Sequence, residues 1–357
     1  MRLLIVVPAL CKGGVERLVS VLSKEWMNNH QVKIIVFDKN NIAYSYGGDL
    51  IDLKLPSKVG IFFKLFQLLL RTIQLIKLFR QNKPDYIISF SETANFPSIF
   101  AAYLSGKLKK LTISVHADTK IMPKFHSFLI PYLYRIPKKI IAVSKGVSYA
   151  LINLGISKRK IKVINNPLPA STPSIFKPLS RPLGAPVNYI LGVGRLDKYK
   201  GFDLLIEAFS KIRASNIHLV ILGEGEERET LENIVLSKGI SESVHLLGLV
   251  KDIWPWYRNA KLFVSSSLSE GWGNVIVESM SQGCPVVAFD CDFGPREIIT
   301  DGYNGLLVKT NDVKSLNNKM TTLLNDNHLS NKLKQNGLTK ISEFNVKSLS
   351  NKWLNDN

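Results

Sequence analysis

Short runs of β-branched and apolar residues alternate along the whole chain with longer stretches in which apolar residues recur every three or four positions. Runs of the first kind lie at 3–7, 32–37, 86–90, 111–115, 139–143 and 161–164, and again at 189–193, 218–222, 244–247, 262–265, 285–289 and 305–308. Each is bounded by Gly, Asn, Asp or Pro. This β-then-α rhythm predicts α/β architecture, with parallel sheets covered by helices on both faces. Between the two sets, residues 165–188 carry six prolines (Pro167, Pro169, Pro173, Pro178, Pro182 and Pro186) and few periodic apolar positions, which reads as a linker. At 357 residues the chain exceeds the usual ceiling for one core. The expectation is two doubly wound, Rossmann-like domains, 1–165 and 189–345, joined by 166–188 and followed by a C-terminal helix at 346–357. Open parallel sheets bind ligands at the carboxyl ends of their strands, so a cleft between two such domains facing each other is the expected site.

The longest apolar stretch, 61–79, is interrupted by Lys64, Arg71 and Lys77, which argues against a membrane-spanning helix. Its polar residues Lys64, Gln67, Arg71, Gln74, Lys77 and Gln81 fall on one helical stripe. Two readings stay open: a mostly buried domain helix, or an in-plane helix whose apolar face dips into lipid with its basic residues near the headgroups. The opening residues, one basic side chain and a short apolar run, read as a first buried strand rather than a secretory signal.

Charge sharpens the picture once the chain is split. Residues 1–180 hold 27 Lys and Arg against 8 Asp and Glu, whereas residues 181–357 hold 20 against 20. The entire surplus of +19 sits in the first half. That half is suited to a polyanion: nucleic acid, a phosphorylated substrate or an anionic membrane surface. No recognition helix, zinc module or aromatic RNA-binding strand pattern accompanies it, which weakens the nucleic-acid reading. Cys11, Cys284 and Cys291 are odd in number and lack metal-ligand spacing, so a reducing cytoplasm is expected.

Three glycine-bearing turns follow predicted strands. Gly13 and Gly14 open a helix expected to run to Trp26, where backbone N–H groups could receive a phosphate, although such a turn is also ordinary loop punctuation. Arg195 and Lys200 follow the strand at 189–193; two cations there could grip a diphosphate, or simply face water. The strand at 262–265 leads into Ser265-Ser266-Ser267-Leu268-Ser269-Glu270-Gly271-Trp272-Gly273-Asn274-Val275-Ile276-Val277-Glu278. Two carboxylates beside a glycine-rich helix start could bind sugar hydroxyls while the helix end takes a phosphate, or could merely cap a surface helix.

The Glu270/Glu278 frame resembles the paired-glutamate motif of family 4 glycosyltransferases, retaining enzymes of the GT-B fold. Gly13-Gly14-x-Glu16, Gly194-Arg195-Leu196 with Lys200, Leu222-Gly223-Glu224-Gly225, and Gly294-Pro295-Arg296-Glu297 ahead of Asn304-Gly305 occur in the matching order. The match is dense in the second half and sparse at 40–105. It implies that the first domain takes the acceptor and the second the nucleotide-sugar. Glu278 would bind ribose hydroxyls, as a surface carboxylate replaceable at little cost to stability. Glu270 would hold the transferred sugar. Arg195 and Lys200 would contact the diphosphate, assisted by backbone N–H groups of Gly14, Gly273, Asn274 and Val275. His116, at the end of the strand 111–115, would lie near the reacting sugar, although a histidine there is more often structural. Asp290-Cys291-Asp292 spells the D-x-D of metal-dependent transferases but reads here as a turn, so no metal and no cofactor is expected. The resemblance implies transfer of a hexose or N-acetylhexosamine, from a UDP-sugar for preference, to a lipid-linked or membrane-associated glycan in bacterial surface polysaccharide synthesis. The expected location is the cytoplasmic face of the membrane, held peripherally. An epimerase of the same fold acting on UDP-N-acetylglucosamine is the alternative.

Overall fold

A computed structural model describes residues 1–55, 61–116, 124–212 and 216–355, without the side chains of Ile61, Phe62, Lys64 and Lys124. The chain divides into two units, Met1–Ala170 together with Phe344–Asn357, and Ser171–Glu343. The first contains β1 (Arg2–Val7), α1 (Gly14–Trp26), β2 (Gln31–Val36), β3 (Asp49–Asp52), α2 (Ile61–Gln81), β4 (Tyr86–Phe90), α3 (Glu92–Leu104), β5 (Leu111–Val115), α4 (Lys124–Leu133), β6 (Lys139–Ala142), α5 (Lys145–Asn153) and β7 (Ile161–Val163). Its strands form one parallel sheet in the order β3-β2-β1-β4-β5-β6-β7. Ile5 lies opposite both Ile34 and Ile88, and all three are fully buried.

The second unit contains β8 (Tyr189–Val193), α6 (Phe202–Phe209), β9 (His218–Leu222), α7 (Arg228–Ser237), β10 (Val244–Gly248), α8 (Trp254–Asn259), β11 (Leu262–Ser265), α9 (Asn274–Ser281), β12 (Val286–Asp290), α10 (Pro295–Ile298), β13 (Leu306–Lys309), α11 (Val313–Asn325) and α12 (Asn327–Lys340). Its sheet, also parallel, runs β10-β9-β8-β11-β12-β13. In both sheets the winding reverses at an internal pair of neighbours, β1 and β4 in one, β8 and β11 in the other. The loops leaving those strands border the crevice where such sheets bind ligands.

Every strand expected from the sequence is present to within one residue at each end. The unexpected strand is β3, a four-residue edge strand with an aspartate at each end, preceded by Gly47 and Gly48. The segment 171–188 is not a free linker. Arg258 donates to the carbonyls of Ser174, Ile175 and Lys177, Gln282 to that of Pro173, and Asn259 to that of Leu179.

Helix α2 departs from the reading of a mostly buried helix. The middle of its polar stripe faces inward, whereas the end at Lys77 and Gln81 does not: Arg71 is only 5% exposed, and Gln67 and Thr72 are buried beside it. The Arg71 guanidinium lies 4.5 Å from the centre of the Phe37 ring, and Nη2 donates to the Leu55 carbonyl at 2.9 Å. Burial holds its pKa below the usual arginine range. Leu75 and Phe79 anchor the later turns in the core. Phe63, Leu65, Phe66, Leu69 and Ile73 are each more than half exposed. The helix is thus not a buried one, and Arg71 cannot meet headgroups. Lys77 is exposed, while the side chain of Lys64 lies outside the described residues. Among the described residues, no helix is long and apolar enough to cross a membrane.

After the second unit the chain returns to the first as α13 (Val346–Leu354). Trp353 is fully buried, stacked on Phe90 at 5.3 Å and edge-on to Trp26 at 6.3 Å. Tyr86 and Lys139 both donate to its carbonyl at 3.3 Å. Deleting this ring leaves a cavity no neighbour can fill. Trp353→Ala should destabilise the first unit by roughly 3–5 kcal/mol, read from urea denaturation of the full chain.

Candidate active site

In the second unit the turns after β8 and β9 meet backbone to backbone. A Cβ on Gly223, whose φ is +149°, would fall 1.7 Å from the Gly194 carbonyl oxygen, so glycine is required there. Leu196 N then donates to the Glu224 carbonyl at 3.0 Å. Asp197 organises the following turn, accepting from the backbone N–H of Tyr199 at 3.0 Å and of Lys200 at 3.1 Å. It also accepts from Arg195 Nε at 2.6 Å. The loop leaving β11 is fastened to this turn, because Leu268 N donates to the Tyr199 carbonyl at 2.7 Å and Ser266 Oγ to that of Lys200 at 2.8 Å. Gly201, with φ +58°, leaves room for the Ser266 carbonyl, which a Cβ would approach to 2.4 Å.

This stitching brings Lys200 and Glu270 together across 70 residues of sequence: Lys200 Nζ donates to Glu270 Oε1, and Ser267 Oγ donates to the same oxygen at 2.8 Å. Arg195 stands apart from them, 75% exposed and held through its Nε by Asp197. Gly273 adopts φ +104° at the start of α9, so Asn274 and Val275 form the first turn with no side chain from the capping residue. Glu278 lies one turn further and is not the surface carboxylate expected. It is 3% exposed, and Tyr257 Oη donates to its Oε2 at 3.2 Å. Asp290 accepts a bidentate pair from Arg296, both bonds 2.8 Å. Burial pushes the neighbouring Cys291 thiol up to about 12. The triplet 290–292 is thus the end of a strand and the turn after it.

In the first unit, Gly14 begins α1, and the Glu16 carboxylate folds back over Gly13 so closely that a Cβ there would lie 2.1 Å from Glu16 Oε2. Burial raises the Glu16 pKa. His116 follows β5. Its Nε2 and Ser114 Oγ share a 2.6 Å hydrogen bond, its ring stacks on Phe90 at 5.7 Å, and its buried Nδ1 has no partner among the described residues. Burial pushes its pKa down to about 3, so the imidazole is neutral throughout the physiological range.

Sequence reasoning missed the group beside it. Glu92 starts α3 after Ser91, whose φ is +66°, and burial pushes its carboxyl up to about 7. Tyr134 Oη donates to Glu92 Oε1 at 3.4 Å. Asn95 Nδ2 donates to both Tyr134 Oη and the Ser114 carbonyl at 2.9 Å. A buried chain of polar groups therefore runs from Glu92 through Tyr134, Asn95 and Ser114 to His116. The strand-end rule that singles out His116 applies equally to Glu92, which follows the strand at 86–90; nothing in the sequence marks Tyr134.

The architecture is that of two doubly wound α/β units with loops gathered at the strand ends, and comparison with known proteins identifies the family. A model for glycosyl transferases group 1 matches residues 179–340, and one for glycosyltransferase family 4 matches residues 12–171. The chain belongs to the family 4 glycosyltransferases, which have the GT-B fold. It is 28% identical over 347 residues to the N-acetylgalactosamine-N,N'-diacetylbacillosaminyl-diphospho-undecaprenol 4-alpha-N-acetylgalactosaminyltransferase of Campylobacter jejuni, covering 94% of this chain and 93% of that protein. It is 33% identical over 218 residues to the lipopolysaccharide core biosynthesis glycosyltransferase LpsE of Rhizobium meliloti, covering 60% and 62% of the two chains. Among solved structures, that of Anabaena HepE with UDP and glucose is similar in fold, with a TM-score of 0.83 and 20% identity across 99% of this chain and 98% of that one.

Two outcomes follow from the buried carboxylates. Glu278→Ala would remove the carboxylate that accepts from the buried Tyr257 hydroxyl, at a cost of roughly 1–3 kcal/mol, whereas Glu278→Gln keeps an acceptor there. If Glu278 holds ribose hydroxyls, Glu278→Gln should weaken UDP binding about tenfold in calorimetry with little loss of melting temperature. Glu92 titrates in the opposite sense to a paired surface acid. Its folded pKa near 7 lies above the unfolded value, so its contribution is present below about pH 4 and is lost as pH rises through 7. Glu92→Gln should therefore be more stable than wild type at pH 8, by roughly 1–3 kcal/mol, and the difference should vanish by pH 4 in paired denaturation curves.

Proposed function

We propose that the enzyme transfers a hexose or N-acetylhexosamine from a UDP-sugar, with retention of anomeric configuration, to a lipid-linked glycan destined for a bacterial surface polysaccharide. The observation that carries the reading is the meeting of Lys200 and Glu270 at the β8 and β11 strand ends, with Glu278 buried on Tyr257 within the next helix. A cation and a sugar-binding carboxylate sharing one site suit a donor in which sugar and diphosphate are neighbours. The Campylobacter relative is named for N-acetylgalactosamine transfer to a diphospho-undecaprenol glycan, which supports the acceptor class. The HepE structures hold UDP, UDP with glucose, and UDP-glucose, which supports a uridine donor.

In this mechanism the bond between the anomeric carbon and the β-phosphate oxygen loosens first. The acceptor hydroxyl then adds from the same face, and its proton passes to the departing phosphate oxygen. Lys200 and the exposed Arg195 neutralise the diphosphate as it leaves, assisted by the backbone N–H groups of Gly14 and of Gly273, Asn274 and Val275 at the start of α9. Glu270, engaged by Lys200 and Ser267, positions sugar hydroxyls rather than attacking carbon. His116 is assigned to the reacting sugar as a neutral hydrogen-bonding group, its Nδ1, which has no partner among the described residues, being the atom to engage it. The enzyme would work peripherally at the cytoplasmic face of the membrane, where such acceptors reside.

Arg195→Ala and Lys200→Ala should each lower turnover by about 10- to 100-fold while changing UMP affinity less than about threefold, because their contact tightens as charge develops. The assay combines a panel of UDP-sugars with a polyprenyl-diphosphate glycan and follows UDP release together with the product's anomeric NMR signals. Wild-type turnover in both variants would return the cations to a solvated loop, and an inverted product would end the retaining mechanism.

A further inference from the structure

The imidazole of His116 is fixed at the carboxyl edge of the first sheet by two contacts of different kinds. Its plane is set by stacking on Phe90, the last residue of β4, with ring centres 5.7 Å apart and 22° between the planes. Phe90 is itself stacked on Trp353 at 5.3 Å, so the imidazole rests on a fully buried aromatic pair. Rotation within that plane is opposed by Ser114, whose Oγ lies 2.6 Å from Nε2. Ser114 is fully buried, and its backbone is held too, because Asn95 Nδ2 donates to its carbonyl at 2.9 Å. The second ring nitrogen, Nδ1, is buried and has no partner among the described residues.

A hydroxyl carries one hydrogen, and that count decides which nitrogen of the imidazole is protonated. Among the described residues the Ser114 hydroxyl has Nε2 as its partner. If Nε2–H donated to Oγ, the hydroxyl hydrogen would meet no acceptor in a fully buried position, and Nδ1 would be a buried lone pair, so two polar groups would go unsatisfied. If Oγ–H donates to Nε2, that contact is complete and the imidazole's hydrogen sits on Nδ1. One group is then left over, and it is an N–H. Protonating both nitrogens is opposed by burial, which pushes the His116 pKa down to about 3.

We propose that Ser114 is a positioning residue for His116, donating to Nε2 so that the imidazole presents Nδ1–H as a hydrogen-bond donor to an oxygen of the transferred sugar. The inference rests on the assignment of His116 to the reacting sugar, but its first test needs no transfer. An imidazole held this way has one nitrogen occupied and the other protonated, so it aligns the sugar and takes no proton from the acceptor. Full-length protein, isotopically labelled at its histidine nitrogens, is measured by long-range proton–nitrogen NMR, and the His116 signals are those lost in His116→Gln. Wild type should show a protonated Nδ1 and an acceptor-type Nε2. Ser114→Ala should move the proton towards Nε2, the form that a free histidine side chain prefers, and should lower turnover about tenfold while changing UDP affinity less than about twofold. Ser114→Thr, which keeps the hydroxyl, should restore both the tautomer and the turnover. A serine that only fills space would shift the melting temperature without moving the tautomer. A protonated Nε2 in wild type would overturn the proposal without recourse to any variant of Ser114. So would a Ser114→Ala enzyme that keeps the wild-type tautomer or wild-type turnover, or a Ser114→Thr enzyme that behaves like Ser114→Ala. If the protonated Nδ1 of wild type is lost in Ser114→Ala while no UDP-sugar is transferred by wild type, the positioning by Ser114 stands and the sugar-transfer reading falls.

Discussion

A parallel sheet delivers the carboxyl end of every strand to one edge, and the other features of this protein depend on that constraint. The reversal of winding at β1/β4 and at β8/β11 opens a gap between outgoing loops at that edge. In the second unit the gap is lined by loops that could not pack so closely with ordinary residues. Gly223 is pressed on the Gly194 carbonyl and Gly201 on that of Ser266. Backbone proximity of this kind places Lys200 on Glu270. The ion pair is a result of the stitching, and the stitching follows from strand order.

The same edge in the first unit has a different chemistry. Burial there disfavours the charged forms: the imidazole's pKa falls to about 3 and the carboxyl's rises to about 7. They are joined through Ser114, Asn95 and Tyr134 in a buried chain. A carboxyl and an imidazole that each resist ionisation can orient hydroxyls without binding them as ions.

Much of this was legible in the sequence because strands buried on both faces leave a strong apolar signal and glycine turns mark their ends. The strands emerged nearly residue by residue, except β3, whose aspartates and exposed edge position erase that signal. Lys200 and Glu270 were recognisable individually from their frames, but their contact depends on a loop–loop register that no local pattern encodes. Glu278 looked like a surface acid because its partner, Tyr257, lies on another helix. Helix α2 misled for a related reason. Periodicity identifies a stripe but not which way it faces, and the buried Arg71 holds the middle of the stripe inward through the Leu55 carbonyl, a contact made 16 residues away.

The return of α13 to the first unit has a consequence for how the chain can be cut. Leu168 N donates to the Phe344 carbonyl at 2.9 Å, so the points where the chain leaves and re-enters the first unit are hydrogen-bonded neighbours. In topological terms the second unit is an insertion in the first. Residues 1–170 alone would expose the slot occupied by Trp353, whereas a short splice from Ala170 to Phe344 would excise 171–343 without breaking that core. The second unit is, by this geometry, a removable module carried within a continuous first unit.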